Sequence, residues 1–145
     1  MLPLTGITVV ALEHAVAAPF ATRQLADLGA RVIKIERPGS GDFARRYDES
    51  INGQSSYFVW LNRSKESVTL DVKSPRGREI LHELVGRSDV LVQNLGPGAA
   101  DRLGLSAAAV RARDPRKIVL GITGWGSDGP WVGRKAYDLL AQCEA

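Results

Sequence analysis

The run Ala30-Arg31-Val32-Ile33-Lys34-Ile35-Glu36-Arg37, followed at once by Pro38-Gly39-Ser40-Gly41-Asp42, decides the fold of this chain. Its β-branched centre reads as a strand buried in a parallel sheet, and proline and glycine stop it just beyond an arginine. Upstream, residues 7–12 (ITVVAL) form a second such run. Between the two, Pro19 suits the first turn of a helix, Phe20, Leu25 and Leu28 give it an apolar side, and Gly29 closes it. Strand, helix and strand within about thirty residues make a βαβ unit.

The pattern repeats downstream. Residues 38–66 form a connection long enough to carry function, with a short helix expected over 54–61, where Tyr57, Phe58 and Leu61 share a face. Residues 67–72 (SVTLDV) alternate as a third strand. Ser74-Pro75 starts a helix whose stripe is Ile80, Leu81, Leu84 and Val85. A fourth strand at 89–92 ends at Gln93-Asn94 and is broken by Gly96-Pro97-Gly98. Ser106 caps a short helix through Arg113, and 117–123 (KIVLGIT) is a fifth strand. Residues 124–134 are a glycine-rich loop, and a helix is expected from Ala136 onward. Leu139, Leu140 and Cys143 lie at helical spacing there without a cap, so residues 1–145 are expected to be one partial domain of a longer or assembled protein. Strands alternating with helices specify an α/β protein with a doubly wound parallel sheet.

Composition sets outer bounds. The chain has 145 residues, 44% hydrophobic and 24% charged, which suffices for one core. The net charge of +3 suits phosphorylated ligands, and with no Lys/Arg cluster interleaved with aromatics it argues against nucleic acid. A single cysteine, Cys143, excludes an internal disulfide and points to a reducing, cytoplasmic setting, and its default reading is a buried structural thiol. No apolar run approaches the roughly 20 residues that cross a bilayer, so no membrane partner is expected.

In open α/β sheets ligands bind outside the carboxyl ends of the strands. Arg37 stands there, with a planar donor fork suited to a phosphate, although an arginine capping a strand in water reads the same way. Asn94, Arg102, Lys135, Tyr137 and Asp138 fall at or just beyond the same edge. Gly124-Trp125-Gly126-Ser127-Asp128-Gly129 matches a dinucleotide fingerprint, but Pro130-Trp131 follows where a helix must open, and the first βα turn lacks glycine. A flexible ligand-side loop is the better reading. His14 follows the first strand, as a catalytic group or as an ordinary loop histidine, and His82 is expected to face solvent. Two histidines support neither a His-rich metal site nor a serine triad.

Four blocks then carry a resemblance: LADLGARVIKIERPGSGD (25–42), SYFVWLNRSKESVTLDVKSPRG (56–77), DVLVQNLGPGAADRLGL (89–105) and GITGWGSDGPWVGRKAYDLLAQ (121–142). In order and over nearly the whole chain, they resemble the N-terminal portion of the family III CoA-transferases, the family of formyl-CoA transferase, carnitine CoA-transferase and α-methylacyl-CoA racemase. The resemblance implies a Rossmann-like large domain, cut here to its N-terminal part, in an interlocked homodimer of longer chains. It implies coenzyme A or acyl-CoA as substrate beside a small carboxylic acid, with no permanently bound cofactor. By motif, Val16 and Arg37 would line the CoA site, Leu70 and Lys73 would lie beside the adenine, and Asn94, Leu95 and Arg102 would meet nucleotide and pantetheine. Lys135 would also touch CoA, and Tyr137 and Asp138 would lie near the acyl thioester.

The family's transferases use an aspartate nucleophile, which the resemblance places downstream of this chain; Asp138 is not that residue. The racemase branch carries a histidine where this chain has Tyr137, a poor base at neutral pH, which favours a CoA-transferase over a racemase. Val16 stands where formyl-CoA transferases have a polar residue, and block 56–77 is similar to enzymes of dicarboxylic acyl groups such as succinyl. The chain alone is expected to be inactive. A non-catalytic CoA-binding fragment is the reading from another class.

Overall fold

A computed structural model describes residues 1–137 and 142–143. Asp138, Leu139 and Leu140, on which part of the expected last helix rests, lie outside the described residues. Ala136 and Tyr137 are irregular, so the helix does not begin where the sequence places it.

Five strands pair in parallel, in the order β3-β2-β1-β4-β5: β1 (Thr8–Leu12), β2 (Arg31–Glu36), β3 (Lys65–Thr69), β4 (Val90–Gln93) and β5 (Ile118–Gly121). The order reverses between β1 and β4, which makes the carboxyl ends of those strands a topological switch point. Helices α1 (Ala17–Asp27), α2 (Ser56–Asn62), α3 (Pro75–Arg87), α4 (Ala99–Arg102) and α5 (Ala107–Arg113) make the connections.

Period-two alternation builds two cores from the same strands. Val10, Leu12, Ile33, Ile35 and Leu91 pack with Leu81 and Val85 of α3 and Val110 of α5. Val9, Ala11, Val32 and Val92 face the other way, onto Ala18 and Ala26 of α1. Small alanines let α1 lie close to the sheet. Both faces of the central strands are covered, as expected of a doubly wound α/β sheet.

Several boundaries differ from the sequence reading. β3 starts at Lys65 and ends at Thr69, earlier than 67–72, because its register follows β2, with Lys65 opposite Val32 and Thr69 opposite Glu36. α2 starts later than expected, at Ser56, where the Ser55 hydroxyl accepts from the Phe58 N–H and Asp48 accepts from the Ser56 N–H. Leu61 is buried but Tyr57 is exposed, so the two do not share one buried face. The long connection also holds a 3-10 turn at Phe43–Arg46, capped by Asp42. The region after β4 contains α4, whose last residue is Arg102. Cys143 is exposed, not buried, since no described element packs over it. His82 is half-buried and lies 2.8 Å from an Arg113 nitrogen, because α5 packs beside α3.

Candidate functional site

A cavity of about 520 Å3 opens at the carboxyl edge of the sheet. Its apolar floor is Leu12 of β1, Ile35 of β2, Leu70 beyond β3, Leu95 beyond β4, and Leu103 beside α4. Four cations ring it: Arg37, Lys73, Arg78 and Arg102. Among the described residues, the side chains of Arg37, Lys73 and Arg102 have no hydrogen-bond or ion-pair partner. Arg78 donates weakly to the Val72 carbonyl at 3.3 Å.

The cavity also meets Glu13, Glu36 and Asp42, yet these acids are already matched. Thr22 donates to Glu13 at 2.6 Å and Lys65 at 2.7 Å. Lys34, 1% exposed, donates to Asp42 at 2.7 Å and lies 3.6 Å from Glu13. Arg45 clamps Glu36 through two bonds, at 2.6 and 2.8 Å, while the Asp42 N–H and the Ser67 hydroxyl also donate to it. Burial raises the Glu36 carboxyl, but those donors outweigh it and hold the group at about 2. Burial lowers the Lys65 ammonium to about 8, against the pull of Glu13. With Glu13, Glu36 and Asp42 neutralised from beneath, and Asp71 accepting only the Lys73 N–H among the described residues, four rim cations outnumber one unpaired acid and leave the mouth of the cavity positive. A positive rim over an apolar floor suits a ligand with phosphates at one end and an uncharged body.

The structure gathers five of the expected site residues around this cavity: Arg37, Leu70, Lys73, Leu95 and Arg102. The others stand apart. Asn94 spends its amide on the loop after β1, donating to the His14 carbonyl at 2.8 Å and accepting the His14 N–H at 3.0 Å. That role makes it a staple between the loops after β1 and β4. Val16 is exposed at the start of α1. Lys135 is exposed beyond the glycine loop, where its carbonyl accepts from the Trp125 indole at 3.4 Å. Tyr137 is exposed as well, and Asp138 lies outside the described residues.

Sequence reasoning missed the buried polar layer of Glu13, Thr22, Lys34, Asp42 and Lys65. One signal was available: Val32, Lys34 and Glu36 alternate with Ile33 and Ile35, so a charged row faces inward from a central strand. It also missed Ala15, which holds φ of 63° with its N–H given to Asp42. Among the described residues no cluster of His, Cys, Asp and Glu could hold a metal ion, and no helix is long and apolar enough to cross a membrane.

Known proteins resemble this chain in sequence and in fold. Residues 4–145 match CoA-transferase family III. A formyl-CoA:oxalate CoA-transferase of Bradyrhizobium diazoefficiens is 45% identical over 97% of this chain and 33% of its own length. A succinyl-CoA:glutarate CoA-transferase of Mus musculus is 42% identical over 97% and 33%, and an acetyl-CoA:oxalate CoA-transferase of Acetobacter aceti is 43% identical over 97% and 36%. The chain thus spans about a third of the length of these curated relatives. A crystal structure of a CaiB/BaiF family protein from Brucella suis superimposes with a TM-score of 0.91 at 36% identity, covering 99% of this chain and 39% of that one. A hypothetical protein of Mycobacterium tuberculosis gives the same TM-score at 35% identity, over 99% and 40%. With a family match from residue 4 to residue 145 and solved structures that superimpose over 99% of its length, the chain belongs to CoA-transferase family III as its N-terminal portion.

Proposed function

We propose that this chain supplies the CoA-binding part of an acyl-CoA:carboxylate CoA-transferase. The observation that carries this reading is the cavity at the switch point, with unpartnered Arg37, Lys73 and Arg102 around an apolar floor. A CoA molecule has phosphates for the cations and a largely uncharged pantetheine arm for the floor. The names of the relatives support the reaction class.

In the reaction proposed, a carboxylate supplied from outside residues 1–145 attacks the thioester carbonyl of the acyl-CoA. The carbon–sulfur bond breaks, CoA leaves as thiolate, and a mixed anhydride remains. The thiolate then attacks the enzyme's own acyl carbon, releasing the donor acid and leaving an aspartyl-CoA thioester. The acceptor carboxylate accepts CoA through the same two steps in reverse. Dividing the transfer this way is nucleophilic catalysis. The chain contributes by holding the nucleotide still while these exchanges occur at the far end of the carrier.

A dicarboxylic acyl group such as succinyl remains the proposed donor, resting on block 56–77 and on Val16. Relatives named for formyl, succinyl and acetyl groups are all 42 to 45% identical over this region, which fits a part that binds the shared carrier. The proposed assembly is a homodimer of longer chains acting in the cytoplasm.

The test is CoA titration calorimetry on the intact protein. Arg37→Ala removes one charge-assisted phosphate contact, so affinity should fall roughly 10- to 150-fold, corresponding to about 1.5–3 kcal/mol. An unchanged affinity rejects the assignment of Arg37.

A further inference from the structure

His14 lies in the wall of the cavity at the carboxyl edge of the sheet and is not one of the rim cations described above. Its backbone is held from both sides, the N–H and the carbonyl each bonded to the Asn94 amide. The next residue is pinned too, since the Ala15 N–H is given to Asp42. The ring rests on Phe43 with centroids 5.2 Å apart. The side chain therefore has a fixed base and a fixed flank. Neither ring nitrogen has a hydrogen-bond partner among the described residues, although the residue is half-buried. Burial lowers the ring's affinity for a proton; Asp42 and Glu13 oppose this, while Arg37 and Lys34 add to it.

At neutral pH such a ring is uncharged and offers one N–H donor and one lone pair. A phosphate wants donors and positive charge, which the rim already supplies. A secondary amide has one donor and one acceptor, the complement of neutral imidazole. The pantetheine arm of CoA carries two secondary amides and no charge.

We propose that His14 is a positioning residue that hydrogen-bonds an amide of the pantetheine arm and so aims the thioester end away from the nucleotide site. The inference rests on the CoA reading of the cavity. It separates the two halves of the ligand: Arg37, Lys73 and Arg102 hold the phosphates, and His14 orients the arm.

The experiment measures affinities of the intact protein for CoA and for 3′-phospho-ADP, its nucleotide half, in wild type, His14→Ala and His14→Gln. The Asn94 bonds go to the backbone of residue 14 and survive both substitutions. His14→Ala should weaken CoA roughly fivefold to fiftyfold and leave 3′-phospho-ADP within about twofold. His14→Gln, whose amide again offers a donor and an acceptor, should recover most of the CoA affinity. Equal losses for both ligands, no loss for CoA, or no recovery with glutamine would overturn the role of His14. Wild type that binds neither ligand would instead sink the CoA reading itself.

Discussion

Lys34 is the residue on which the site's architecture turns. It is buried between Asp42 and Glu13, in the middle of β2 and between Ile33 and Ile35. A buried ion pair adds little net stability, because desolvation offsets the attraction, but breaking one leaves a stranded charge. Asp42 also caps the 3-10 turn and holds the Ala15 N–H. Asp42→Ala should therefore destabilise the protein by about 3–5 kcal/mol in urea denaturation. A loss below about 1 kcal/mol would mean that the lysine is solvated. Glu36 yields a pH prediction. Its folded value is depressed from 4.5 to about 2, so it contributes stability that is present above 4.5 and disappears as pH falls through 2. Glu36→Gln should lower the urea midpoint near neutral pH and flatten its decline on acidification. A variant with the wild-type acid slope would contradict the clamp by Arg45. At this scale the sequence was half legible. Arg37 at a strand end was visible, because strand and loop signals bracket it. The partners of Lys34 were not, because Glu13 and Asp42 come from other loops and only the fold brings them together.

Among the elements, α3 shows how local chemistry sets a boundary. The Ser74 hydroxyl accepts the Gly77 N–H at 3.0 Å and donates to the Asp71 carbonyl at 2.8 Å, while Pro75 takes the first turn. That start holds the segment 71–73, which carries Lys73 to the cavity. Ser74→Ala should cost about 1 kcal/mol in thermal or chemical melts. Two glycines of the same helix should respond oppositely to alanine. A Cβ at Gly77 would collide with the Asp71 carbonyl, whereas one at Gly86 meets open space. Gly86→Ala should stabilise by roughly 0.5–1 kcal/mol through helix propensity, and Gly77→Ala should destabilise. Equal effects at the two positions would contradict the close approach at Gly77. Helix and strand identities were legible here because periodicity and caps are local signals. The start of β3 was not, since its register is set by β2. α4 was missed because four residues carry no period to read.

For the molecule as a whole, the sheet order puts the loops after β1, β2, β3 and β4 around one opening. β5 lies at the sheet edge with Ile118 60% exposed and Leu120 42% exposed. A paired edge and a covered face are what such a strand needs. Residues 1–145 expressed alone should therefore associate or melt without cooperativity, measured by light scattering and calorimetry. A monomer with a sharp melt would favour the non-catalytic CoA-binding reading over the transferase. The most direct measurement is a crystal structure of the intact protein with CoA. The nucleotide should lie at the carboxyl edge of the sheet, its phosphates among Arg37, Lys73 and Arg102, with the arm passing His14. An empty cavity, or CoA bound at the amino edge of the strands, would contradict it.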